Sequence, residues 1–347
     1  MRAVIATVQA PFERGGAEIL VEDLHCAMAG RGHDVEIVTI PWQWYPSEHL
    51  LYHMAACRLF DLTQSAGRPI DLLIGMKFPA YLIPHPNKVL WLMHQQRSAY
   101  ELWNGYYGLS QDPRGAQIRD TIRNADRRAI EESQRVHTIA QNVSGRLERF
   151  LGIESTPLCP PPRLATELHC APAEDYIFFP GRISPPKRHK LVLEALSLTE
   201  QPVRIRIAGS AESPTHEAEL HRMADELGIS SRIDWTGWIN EADLVDGYAR
   251  CVGVVFTPLD EDYGYVTLEA MLAAKPVVTC RDSGEPLAFI THGETGLICE
   301  PEPAAIASSL DTLWRDRNAA REWGVAGRQH YDKLGITWDR VLDSLLA

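Results

Sequence analysis

A chain of 347 residues is too long for one ordinary core and suits two, at roughly 100–200 residues per domain. Its composition, 45% hydrophobic and 23% charged, is that of a globular protein, and no apolar run approaches the roughly 18 residues that suggest a membrane span. The formal charge of -12, from 34 Lys and Arg against 46 Asp and Glu, argues against general nucleic-acid binding, because such a surface repels phosphates.

The opening MRAVIATVQAPF is β-branched and leads into a glycine turn without a small-residue cleavage site, so it reads as a first strand rather than a signal peptide. AVIATV, a helix carrying Ile19, Leu20, Leu24, Ala27 and Met28, then VEIVTI, DLLIG and KVLWLM alternate in the manner of βαβ units on a parallel sheet. In QAPFERGGAEILVEDL, Gly15 and Gly16 lie between the first strand and its helix, where they either offer amides to a ligand or let the two elements pack. The spacing is not GxGxxG, so a nicotinamide fingerprint is absent.

Trp42, Trp44, Tyr45, Trp103, Tyr106 and Tyr107 are candidates for stacking on sugar rings, and equally for the core. His94 closes VLWLMHQQRSAY at a strand end, as a structural residue or one facing a ligand. Within RGAQIRDTIRNADRRAIEESQR, Arg119, Arg123 and Arg127 recur at i, i+4 opposite Ile118, Ile122 and Ile130. They form a solvated helix face or, alternatively, a basic stripe for an anionic lipid-linked acceptor at the inner face of a cytoplasmic membrane.

Four prolines interrupt the alternation in STPLCPPPRL, 155–164, before a new strand, YIFFPG, opens at Tyr176. We therefore expect domains at 1–160 and 161–330, with the amphipathic TWDRVLDSLLA in a tail, 331–347, that packs back on the first. In the second half RIRIAG, RIDWTG, VGVVF and PVVTC read as strands, with helices after Lys187, after Pro214, from Glu241 and from Val266. The expected fold class is α/β: two doubly wound Rossmann-like domains facing across a cleft. Seven scattered cysteines (Cys26, Cys57, Cys159, Cys170, Cys251, Cys280 and Cys299), without a CxxC pair, read as reduced thiols of a cytoplasmic protein.

Two stretches carry most of the chemistry. FPGRISPPKRHK follows a strand directly; Gly181 permits the turn while Arg182 and Lys187 come from the strand end and the next helix start, where a guanidinium fork and an ammonium suit a diphosphate. Lys187, Arg188 and Lys190 also fit an ordinary solvated face. In EDYGYVTLE, Glu261 and Glu269 on one helix would stand roughly 12 Å apart along the axis and about 80° apart around it, so Glu261 belongs to a loop. Gly264 then makes the turn, and Tyr265, Val266 and Thr267 open a helix whose amides form an anion site. The bland alternative makes Glu261 a helix cap and Glu269 a solvated helix residue. Asp260-Glu261-Asp262 has the form of a divalent-metal string, but three loop acids match many surfaces, so no metal is expected.

Taken together, these residues resemble a retaining, nucleotide-sugar-dependent glycosyltransferase of family 4 with the GT-B fold. GRISPPK resembles the family's Gly-Arg…Lys motif, and Glu261 with Glu269 its paired glutamates. TGWINEADLVDGYARCVGVVFTPLDEDYGYVTLEAMLAAKPVV, DSGEP and HGETGLI resemble its later blocks in order. The resemblance implies a hexosyltransferase of glycan biosynthesis, with an N-terminal acceptor domain and a C-terminal donor domain, acting on a glycan, lipid-linked or small-molecule acceptor. Arg182 and Lys187 would bind the donor diphosphate, Glu261 the donor sugar and Glu269 the ribose, while His94 would sit near sugar and acceptor. Gly15, Gly16, Gly181, Gly264 and the amides of Tyr265, Val266 and Thr267 would line the phosphates, and the base would lie near Gly209 to Ala211 and Gly237 to Ile239. Nucleotide diphosphate sugar is the implied donor substrate, and no cofactor is implied.

Retention would follow from attack on the leaving-group face, with a phosphate oxygen taking the acceptor's proton and Arg182 and Lys187 stabilising the leaving group. Arg188, Ala274 and the Ser283-Gly284-Glu285 run depart from positions where the family commonly has glycine. The competing readings are a nucleotide-sugar epimerase of the same fold and a non-catalytic nucleotide-sugar binder.

Overall fold

Strand order, rather than strand number, shapes this chain. The computed structural model describes residues 1–105 and 108–347, so Tyr106 and Tyr107, two of the stacking candidates, lie outside the described residues. Two units emerge, one of Met1–Pro161 with Thr337–Ala347 and one of Pro162–Ile336.

In the first unit, β1 (Arg2–Gln9) is followed by α1 (Gly16–Gly30), β2 (Asp34–Pro41), α2 (Glu48–Leu59) and a hairpin of β3 (Gln64–Ser65) with β4 (Arg68–Pro69). Then come β5 (Leu72–Lys77), β6 (Lys88–His94), α3 (Gly115–Glu131), β7 (Arg135–Thr138), α4 (Gln141–Leu151) and β8 (Thr156–Pro157). The six-stranded sheet has the order β2-β1-β5-β6-β7-β8, and its pairings are parallel. β1, β5 and β6 are buried along nearly their whole lengths, as expected of strands covered on both faces. RVHT, which becomes β7, is too short and polar to announce itself as a strand.

A carboxylate lies inside this core. Asp126 on α3 is fully buried and accepts hydrogen bonds from the Tyr81 hydroxyl at 2.8 Å and the Tyr100 hydroxyl at 2.7 Å. Burial pushes its carboxyl up to about 7, against the pull of the two hydroxyl donors. The arginine stripe on the same helix is not simply solvated. Arg119 lies 4.3 Å above the Trp103 ring, Arg123 lies 5.3 Å from Tyr100, and Arg127 donates to the Leu151 carbonyl at 3.4 Å. Trp42 belongs to the core, against Phe78, whereas Trp44 and Tyr45 are 41% and 61% exposed.

The second unit comprises β9 (Ile177–Pro180), α5 (His189–Leu198), β10 (Ile205–Ala208), α6 (Pro214–Glu226), β11 (Ile233–Gly237), α7 (Glu241–Arg250) and β12 (Val254–Val255). It continues with α8 (Tyr265–Leu272), β13 (Val277–Cys280), α9 (Pro286–Phe289), β14 (Gly296–Cys299), α10 (Pro303–Arg315) and α11 (Arg317–Leu334). Its parallel sheet runs β11-β10-β9-β12-β13-β14. That is the doubly wound pattern in which chain direction across the sheet reverses once, here between β9 and β12.

The chain returns to the first unit with α12 (Trp338–Leu346). Residues 331–334 still belong to α11, which stops where Gly335 turns left-handed at φ 63°. Arg31 pairs with Asp339 at 2.7 Å and Asp343 at 2.6 Å, but exposed pairs contribute only about 0–1 kcal/mol. The stronger attachment is apolar: Val341, Leu342 and Leu345 are buried, at about 1.5–3 kcal/mol each. Among the described residues no helix is long and apolar enough to cross a membrane.

Asp126→Ala leaves two core hydroxyls without their acceptor and is expected to lower unfolding free energy by about 2–4 kcal/mol in urea titration. The raised carboxyl predicts a sign for pH as well. The native chain holds this proton up to about 7, whereas an unfolded Asp releases it near pH 3.9. The group's contribution is therefore complete below about pH 4 and lost as pH climbs toward 7. Melting temperatures of the wild type should fall over that interval more steeply than those of Asp126→Asn.

Candidate functional site

The reversal of strand order leaves β9 and β12 to send their following loops apart, and a site opens at their carboxyl ends. β9 is buried throughout because both its neighbours and both faces are covered. Past it, Gly181 at φ 117° donates its amide to the Ala208 carbonyl at 2.8 Å. Gly209 at φ 146° donates to the Gly237 carbonyl, also at 2.8 Å. A Cβ on Gly209 would stand 2.0 Å from the Gly181 carbonyl oxygen, so only glycine lets these two strand ends approach so closely. Arg182 is exposed on this rim, and Ile239, partly exposed, precedes Asn240, which caps α7 by accepting from the Asp243 amide at 2.9 Å.

Beyond Arg182, the three basic residues Lys187, Arg188 and Lys190 go three separate ways. Lys187 ends a single 3-10 turn, Pro185–Lys187, and donates to Glu261 Oε2 while standing 5.1 Å from the centre of the Phe256 ring. Arg188 forms a two-pronged pair with Asp282, at 2.8 Å to Oδ1 and 2.5 Å to Oδ2. Lys190 meets Glu219 at 2.7 Å on the surface. A common solvated face for the three is thereby excluded.

Glu261 lies in a loop, and its backbone is pinned to the loop after β13. Its amide donates to Ser283 O at 2.9 Å and its carbonyl accepts from the Glu285 amide at 3.1 Å. Gly264 caps α8 at φ 78°, with Phe256, Glu261 and Pro286 each 3.0–3.3 Å from where a Cβ would be, so this turn also requires glycine. Tyr265, Val266 and Thr267 form the first turn of α8. The Thr267 amide is already taken by the Gly264 carbonyl at 3.0 Å.

Glu269 is not a solvated helix residue. Tyr248, fully buried, donates its hydroxyl to Glu269 Oε2 at 2.6 Å, and burial raises the carboxyl above its ordinary range although part of its surface meets solvent. Sequence reasoning passed over Tyr248, Phe256 and Asp282. Only Asp282 had a signal, its place at the head of DSGEP; the other two are chosen by packing between distant segments.

Three of the expected residues belong to the first unit. Gly15 precedes α1, and its amide is occupied by Glu18 Oε2 at 2.8 Å, a carboxylate that also pairs with Lys77 at 3.3 Å. Gly16 opens that helix, and His94 ends β6 with its Nδ1 2.6 Å from the Gln95 carbonyl oxygen. Of the fourteen residues expected from sequence, Lys187 and Glu261 are in direct contact, Gly264 packs against Glu261, and Gly181 packs against Gly209. Among the described residues no three His, Cys, Asp or Glu side chains converge as a metal cluster.

The family described as Glycosyl transferases group 1 matches residues 168–330. The second unit is a group 1 glycosyl transferase domain. The human α-1,3/1,6-mannosyltransferase ALG2 is 30% identical over 155 residues, covering 41% of this chain and 37% of the human protein. The D-inositol 3-phosphate glycosyltransferase of Corynebacterium efficiens is 25% identical over 326 residues, or 85% of this chain and 76% of that protein. The chain thus spans well under half the length of the human relative. Sucrose-phosphate synthase from Thermosynechococcus elongatus superimposes with a TM-score of 0.78 at 18% identity, covering 99% of this chain and 97% of its own. Anabaena HepE in complex with UDP and glucose gives 0.72 at 16%, covering 99% of each chain. The fold is GT-B, built of two Rossmann-like α/β halves.

Within the group 1 domain, the departures from glycine acquire a physical meaning. Arg188 at φ 58° and Ala274 at φ 52° both hold left-handed backbone, which costs a non-glycine residue roughly 1–2 kcal/mol. Arg188 has the Asp282 fork to offset it. Ala274→Gly removes strain but adds freedom to the unfolded chain, so thermal unfolding should show a gain between zero and about 1 kcal/mol.

Proposed function

We propose that this chain is a retaining glycosyltransferase that moves a hexose from a nucleotide diphosphate sugar to a glycan, lipid-linked or small-molecule acceptor, the donor being held by the second unit. The observation that carries this reading is the Lys187–Glu261 pair at the switch point, backed by Gly264 and the start of α8. A diphosphate arriving there competes with Glu261 for the Lys187 ammonium. As the phosphate takes the lysine, the carboxylate is released to accept from a sugar hydroxyl. One exchange of partners thus serves both halves of the donor.

Charge that develops on the leaving diphosphate meets Arg182, the helix amides and Lys187, the last held in place beforehand by Glu261 and the Phe256 ring. Glu269, its Oε2 held by Tyr248, is placed to accept from ribose hydroxyls. The acceptor hydroxyl attacks on the face that the diphosphate leaves, and a phosphate oxygen takes its proton. No metal is required in this scheme, since the countercharge comes from side chains and backbone. Family membership of the second unit supports the class of reaction.

The test is a thermal-shift panel of UDP, GDP, ADP and CMP with their sugars, including GDP-mannose and UDP-glucose, with and without EDTA. One nucleotide sugar should raise the melting temperature irrespective of EDTA, and Lys187→Ala should abolish the shift. Turnover of that donor should fall about 10²–10³-fold in Lys187→Ala, the scale of losing one preorganised charge-stabilising donor. Proton NMR of the product should show the donor's anomeric configuration. An inverted product, or epimerised donor without acceptor, would overturn the proposal.

A further inference from the structure

Cys280 ends β13, Cys299 ends β14, and the two stand directly opposite in the parallel register. Directly opposed residues of adjacent parallel strands project to the same face about 4.8 Å apart, within the 4.4–6.8 Å between Cα atoms that a disulfide spans. Each sulfur leans over the other strand. Cys299 Sγ donates to the Thr279 carbonyl at 3.4 Å, and Cys280 Sγ approaches the Glu300 carbonyl at 3.9 Å. Both belong to the same apolar cluster, Cys280 buried within it and Cys299 partly exposed at its edge. The environments are unequal in a useful sense: hydrogen bonds from Cys280 and Ser309 pull the Cys299 thiol below its ordinary range, and the Cys280 thiol is pushed up.

We propose that Cys280 and Cys299 are a redox-sensitive pair that closes into a disulfide under a peroxide. Cys299, the accessible member, attacks hydrogen peroxide as its thiolate; the O–O bond breaks, an S–OH forms, and hydroxide leaves as water after taking a proton. The Cys280 thiol then attacks the Cys299 sulfenic sulfur, an S–S bond forms, and a second water departs with the Cys280 proton. Two electrons pass from the two thiols to the peroxide. Burial of Cys280 is no obstacle, because its electrophile is delivered on the neighbouring strand.

The cross-link sits against the loop that serves the candidate site. The Arg281 amide donates to the Cys299 carbonyl at 3.0 Å, the Cys280 amide donates to Ser283 Oγ at 3.1 Å, Asp282 holds Arg188, and the Ser283 carbonyl holds the Glu261 amide. The inference goes beyond sugar transfer and is read without it. The wild-type chain would be treated with equimolar hydrogen peroxide, unfolded in urea with iodoacetamide, digested, and analysed by mass spectrometry with fragment-ion localisation.

A Cys280–Cys299 linkage is expected in most of the protein, cleaved by dithiothreitol. It should be absent from peroxide-treated Cys299→Ser, in which Cys280 stays alkylatable. Recovery of both residues alkylated while exposed Cys26 and Cys170 are oxidised would overturn the proposal, as would conversion of Cys299 to a sulfinic acid without the link. In the linked form, amide exchange across 281–285 should slow severalfold; unchanged exchange would remove the coupling to the loop.

Discussion

A parallel sheet must reverse its winding somewhere if helices are to cover both faces, and in the second unit that reversal falls between β9 and β12. Everything distinctive at the candidate site follows from this constraint. The chain leaves β9 in one direction and β12 in the other, so no helix closes the space between them. Into that space come the Arg182–Lys187 segment from one side and the Glu261–Gly264 turn from the other, residues 74 positions apart in the case of Lys187 and Glu261. Glycines then appear where the chain is crowded: Gly209 against the Gly181 backbone, and Gly264, at positive φ, against the side chains of Phe256 and Glu261.

The electrostatics of the site are those of a cation kept ready but not idle. Lys187 rests on an aromatic face and a carboxylate, and the two together fix its position. Glu269 is the converse, a carboxyl whose environment disfavours ionisation and whose Oε2 is fixed by a buried tyrosine. Two glutamates eight residues apart, one in a loop and one on a helix, thus have different partners. In the first unit Asp126, between two tyrosines, shows the same economy used for packing alone.

The fold class was legible in the sequence because its strands are apolar and its helices periodic; β1, β5, β6, β9 and β13 are all visible as such runs. RVHT and GLIC were not, since neither is a β-branched or aromatic apolar run like IFFP or VVTC, and their strand character comes from neighbours that supply hydrogen-bond partners. At the candidate site, spacing alone placed Glu261 in a loop and Glu269 on a helix. What the sequence could not disclose were contacts made across long separations: Tyr248 on Glu269, Phe256 beneath Lys187, Asp282 on Arg188, and the Gly264 carbonyl occupying the Thr267 amide. The arginine stripe on α3 was legible as a periodicity, but its occupation by Trp103 and Tyr100 was not.

Arg188 and Asp282 also constrain the order in which this loop can change. An arginine in left-handed backbone is tolerable while its fork is held by two carboxylate oxygens. Losing Asp282 first exposes the full conformational cost of Arg188 and releases the loop that pins Glu261. Replacing Arg188 by glycine first relieves the backbone and leaves Asp282, 38% exposed, to water. The two positions are therefore coupled, and the less costly path from one pair of residues to another runs through glycine at 188 before any change at 282.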